Sequence, residues 1–141
     1  MGVLTNLKNQ IGEIALSQPE VNAYGEGSVY ELLNSGGKIE KYAAVVATFQ
    51  SASIVDDYYT ATVNLFYIDR LTKFDDNNRL QIQDTAVQTL HNIFLQLVDE
   101  YDVDAENENY TLFTQKFADN CAGAYCTIKI TLPVSGCFEQ Y

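Results

Sequence analysis

Basic residues are scarce in this chain. Eight Lys and Arg stand against 19 Asp and Glu, for a formal net charge of −11. A nucleic-acid groove needs a cationic face to neutralise phosphates, so the balance argues against one. It argues equally against docking on an anionic membrane. Tryptophan is absent, and there is a single histidine, His91. The three cysteines, Cys121, Cys126 and Cys137, lack the paired short spacings of a zinc site. No apolar run approaches the ~20 residues of a membrane span, and Met1–Asn6 carries no basic region followed by an apolar stretch. The expectation is therefore a chain without a membrane segment, with its thiols reduced. No phosphate-binding loop and no dinucleotide fingerprint is present.

What the chain has is apolar content, 47% by residue, in a length of 141. That is enough for one domain over residues 1–141 with a core of its own. Val3, Leu4, Leu7, Ile11, Ile14 and Ala15 fall on one arc at helical spacing, predicting a helix over Val3–Ser17 that Pro19 stops. Gly12 lies inside it at a cost of about 1 kcal/mol relative to Ala. Val21–Gly25 reads as a short strand and Ser28–Asn34 as one or two helical turns capped by Ser28. Lys41–Gln50 and Tyr58–Leu71 read as strands. Polar Ser51–Asp57 reads as the loop joining them, which makes the pair antiparallel.

The strongest pattern runs from Leu80 to Tyr101. Ile82, Ala86, Val87, Leu90, Ile93, Phe94, Leu97, Val98 and Tyr101 form one apolar stripe, with Asn78 as the expected cap. Asp99–Asn109 reads as an acidic loop, Tyr110–Phe117 as a short strand and Ala124–Leu132 as a cleanly alternating one ended by Pro133. The predicted class is α+β: an antiparallel sheet with a long β-hairpin, packed on one face by two α-helices.

No catalytic constellation emerges. His91 falls at the edge of the helical stripe, where a structural role outweighs a Cys–His nucleophile pair with Cys121 or Cys126. Asp102–Glu108 has alternating oxygen ligands, but Asn107 replaces the EF-hand turn glycine and Phe113 stands where the closing carboxylate belongs. Asp56-Asp57 and Asp75-Asp76 are carboxylate pairs with no accompanying phosphate-binding glycines, and read as loop tips rather than magnesium ligands. The reading is a non-enzyme with no cofactor and no metal. Ten tyrosines and seven phenylalanines are many for a core of this size. Tyrosine suits surfaces that are half buried at subunit contacts.

The segment Phe113-Thr114-Gln115-Lys116-Phe117-Ala118-Asp119-Asn120-Cys121-Ala122-Gly123-Ala124-Tyr125, and the order helix, long hairpin, long helix, closing strands, resemble tail-terminator and head–tail connector proteins of tailed bacteriophages, including crAss-like phages. The resemblance covers roughly residues 42–132. The chain departs from the pattern by placing Ala124 after Gly123, with the aromatic Tyr125 one position later. The resemblance implies a structural virion protein forming a closed ring at the neck or tail, commonly a hexamer in long-tailed phages. It implies synthesis in the host bacterial cytoplasm, and portal, adaptor or tail-tube proteins as partners. DNA would pass through the lumen, where surplus carboxylates repel phosphates over a screening length of ~8 Å. Asp56, Asp57, Tyr58, Tyr59, Asp75, Asp76 and Asn77 are the candidate residues for contacts with neighbours or the lumen. The alternative is a small acidic binding module that mimics DNA toward a basic partner.

Overall fold

The computed structural model of the chain describes residues 2–27, 42–71, 76–105, 109–116 and 120–133. Among the described residues two helices, α1 (Val3–Leu16) and α2 (Asp76–Glu100), accompany six strands: β1 (Ala23–Glu26), β2 (Ala44–Val55), β3 (Tyr58–Arg70), β4 (Asp102–Ala105), β5 (Thr111–Lys116) and β6 (Asn120–Pro133). The sheet runs β1-β2-β3-β6-β4, and β5 also pairs with β6. The class is α+β, as the periodicities predict.

Alternation decides which residues each strand buries. On β3, Ala61, Val63, Leu65 and Tyr67 face the helices, and on β6 Ala122, Ala124, Cys126, Ile128 and Ile130 do the same. Val45 and Ala47 extend that layer onto β2. Helix α1 lays Val3, Leu7, Ile11, Ile14 and Ala15 on it, and α2 lays Ile82, Ala86, Leu90, Ile93 and Leu97. Both helices therefore share one face. A fully buried Leu or Ile contributes about 1.5–3 kcal/mol relative to exposure, so this layer dominates stability.

Helix α1 ends where the pattern ends. Ser17 Oγ donates to the Ile14 carbonyl at 2.6 Å and Gln18 Nε2 to the same carbonyl at 3.3 Å. Gly12 has a packing reason. A Cβ there would meet the Tyr24 ring at 2.8 Å, and that ring is held by its hydroxyl donating to the Lys8 carbonyl at 2.9 Å.

Four expectations are corrected. Ser51–Val55 is strand, not loop: β2 continues to Val55 and only Asp56 and Asp57 make the turn. Cross-strand partners on β3, Tyr58, Tyr59, Thr60 and Thr62 among them, hold Ser51–Val55 in line. A register shift between Phe49 and Ser51 leaves Gln50 as the extra residue of a bulge. Second, α2 is already helical at Asp76, so Asn78 lies within its first turn and is not the cap. Third, Asp99 and Glu100 belong to α2 and Asp102–Ala105 is a strand on β6, so the acidic loop is largely ordered structure. Fourth, the sheet is not wholly antiparallel. β1 runs parallel to β2, because the stretch from Gly27 to Ala43 is long enough for a crossover. The predicted turns at Ser28–Asn34 lie outside the described residues.

The second face of the sheet has two parts. Val46, Ile68 and Cys121 form a small buried cluster with Tyr42, Phe66 and Phe113 packed against it. Phe66 lies 5.0 Å from the Tyr125 ring and 6.3 Å from Phe113, and the Arg70 guanidinium sits 5.1 Å over Tyr42. Toward the hairpin the same face turns to hydroxyls. Thr60 and Thr131 approach to 3.4 Å across the strands, and Thr127 Oγ1 donates to Asn64 Oδ1 at 2.6 Å.

Candidate interaction surface

The outer part of β2 and the turn that follows it are left uncovered. Beyond Phe49 every residue of β2 is exposed on both faces, as are Asp56 and Asp57. Its tip is apolar around the turn: Ile54 is 57%, Val55 65% and Tyr58 54% exposed. Asp56 takes a positive φ of 55°, the left-handed region that a two-residue hairpin turn demands and that Asp tolerates better than most residues.

The candidate residues divide accordingly. Asp56 and Asp57 form the turn itself and Tyr58 opens β3 in solvent. Tyr59 points the other way and packs, half buried, against the core. Asn77 is an exposed residue in the first turn of α2, Asp76 is described only as the start of that helix, and Asp75 lies outside the described residues. The structure thus brings Asp56, Asp57 and Tyr58 together at one tip, while Asn77 lies in the first turn of α2.

The chemistry-bearing residues are dispersed. His91 is exposed on α2, its Nδ1 3.1 Å from the Tyr110 hydroxyl and its ring stacked on Phe94. Cys121 belongs to the cluster on the opposite face of the sheet. Cys126 faces the helices, and burial pushes its thiol up to about 12, the reverse of what an attacking thiolate needs. Asp102 and Asp104 are exposed on β4 and oppose Thr131 and Lys129. Among the described residues, no three His, Cys, Asp or Glu side chains gather as a metal site requires. No described helix is long and apolar enough to cross a membrane.

No family model matches this chain, and no curated protein does. The surface must be read from its own geometry.

Two strand edges complete that geometry. β1 pairs with β2 only from Ala44 to Ala47. Gly27 N then donates to the Ala47 carbonyl at 3.0 Å, and Thr48 Oγ1 donates to the Gly27 carbonyl at 2.7 Å. Past that point the outer edge of β2 carries no strand among the described residues. On the other side, among the described residues, β4 pairs with β6 alone and ends the sheet. Sequence reasoning missed both edges. The alternation Asp102-Val103-Asp104-Ala105 was available as a period-2 signal, hidden by its charge.

Proposed function

We propose that this chain is a structural virion protein of a tailed bacteriophage, assembling as an oligomeric ring at the head–tail junction as a tail terminator or connector. Ring copies would join the portal side to the tail and let DNA pass. The uncovered outer part of β2 is the observation that carries this reading. A long, exposed edge strand with an apolar tip is a pairing template that monomeric proteins blunt with charge, proline or cover. Here Thr48–Val55 contains no charged residue and no proline. In a chain of net charge −11 it is a stretch where two copies can meet without carboxylates opposing each other. The helix layer leaves the outer part of β2 and the turn uncovered, so folding alone does not bury Ile54, Val55 or Tyr58.

Native mass spectrometry and negative-stain imaging of the full chain test it, alone and mixed with portal and tail-tube proteins of the same phage. Closed rings are expected. A chain that stays monomeric at every concentration and binds none of those proteins contradicts it.

A further inference from the structure

Both open edges of the sheet lie at the same level. Reading across β2, β3, β6 and β4, one row is Ser53, Thr60, Thr131 and Asp102, and the next is Ser51, Thr62, Lys129 and Asp104. On the helix side a parallel row is Ala52, Ala61, Ile130 and Val103. This end of the molecule is four strands wide, every pairing in it is antiparallel, and neither outer edge is paired among the described residues.

The strand directions are complementary. β2 and β6 run one way, β3 and β4 the other. The β2 edge of one copy set beside the β4 edge of the next is therefore antiparallel, and the sheet continues with its alternation unbroken. The backbone groups agree as well. The Ala47 carbonyl points outward to Gly27, so helix-facing residues of β2 turn their N–H and C=O to the open edge; past the bulge these are Ala52 and Ile54. The same alternation across an antiparallel sheet turns those of Val103 outward on β4.

The geometry points to head-to-tail strand addition between copies of this chain, β2 (Gln50–Val55 portion) of one against β4 (Asp102–Ala105) of the next. This rests on the ring reading above and names its contact. At matched level the neighbour sets Ser53 beside Asp102 and Ser51 beside Asp104, so hydroxyl donors meet the carboxylates where a charged edge would repel them. Exposed Ile54 comes beside Tyr101, which precedes β4 on the helix side. Because the two edges are different surfaces, the contact is heterologous and propagates around a ring.

A cysteine pair tests it in the full-length chain with Cys137→Ser as background. Ser53 and Asp102 are both exposed, so Ser53→Cys and Asp102→Cys leave the core untouched. Within one copy the two positions are three strand spacings apart, about 14 Å, too far for a disulfide. Between copies they form a closely spaced non-hydrogen-bonded pair. Mild oxidation of the double variant should give a ladder of chain-to-chain disulfides beyond the dimer, with neither single variant doing so. A dimer from Ser53→Cys alone would show β2 pairing with itself and overturn the inference. Rings without any 53–102 crosslink would overturn it while leaving the ring reading in place. A strictly monomeric parent chain would end both. Circular dichroism and melting of each variant establish that it folds.

Discussion

Gln83 reaches from α2 to the backbone of β5, its Nε2 donating to the Phe113 carbonyl at 3.0 Å. The Gln83 amide is buried, and Arg79 Nη1 donates to its Oε1 at 3.3 Å. β5 pairs with β6, and this bond ties it to the helix layer. Gln83→Leu leaves the carbonyl without its side-chain donor and should cost about 1–3 kcal/mol in chemical denaturation. Amide exchange should speed up in Thr111–Lys116 more than in β3.

Gly123 has no room for a side chain. A Cβ would fall 1.8 Å from the Tyr67 carbonyl oxygen and 3.1 Å from the Phe113 ring. Gly123→Ala should destabilise by more than about 4 kcal/mol, or prevent recovery of folded protein. Gly2→Ala, with nothing within 4 Å, should be silent. Gly12→Ala separates two effects: helix propensity favours it by about 1 kcal/mol, while the Tyr24 ring opposes it. With the ring 2.8 Å from the added carbon, melting should show no gain.

Half of the molecule's plan is legible in its residues. The α2 stripe and the alternation of β3 and β6 are periodicities enforced by one shared core, so Leu90, Val63 and Ile128 announce their positions. Ser51–Val55 does not, because Ser-Ala-Ser has little strand preference and is held by partners on β3 that only the register reveals. Asp102–Ala105 was masked in the same way by its carboxylates. Gly123 sits inside a motif that stood out at once, yet its reason lies in Tyr67, more than fifty positions away along the chain. Of the candidate residues, Asp56, Asp57 and Tyr58 mark the tip itself; the edges they lead to depend on pairing no local pattern encodes.

Alkaline conditions should weaken the fold. Burial raises the Cys126 thiol from 9.0 to about 12, and burial followed by the charge of Glu26 raises Tyr24 above its usual 10.0. The folded state then holds protons that the unfolded chain releases, so stability is complete below about pH 9 and is lost as pH climbs toward 12. Denaturation midpoints across that window should fall, and Cys126→Ala should flatten the part of the slope beginning near 9.0.

Asp69 works in the opposite range. Burial lifts its carboxyl above 3.8, outweighing the backbone bond from Arg70 N at 2.8 Å and the Arg70 charge. A raised carboxyl favours the folded state in acid and disfavours it at neutral pH. Asp69→Asn should raise the melting temperature near neutrality, with the gain shrinking as pH falls through the carboxylate range.

Asp56 carries the strain of the turn. Asp56→Gly should hold or raise stability, and Asp56→Val should cost about 1–2 kcal/mol, the expense of a side chain in left-handed backbone. Melting curves of the two variants decide it.

We propose that this protein works by meeting copies of itself through the uncovered end of β2. Native mass spectrometry of the full chain over rising concentration decides it. A discrete closed assembly is expected, which Ile54→Lys disperses into folded monomers. A parent chain that stays monomeric throughout, or an assembly indifferent to Ile54→Lys, would contradict it.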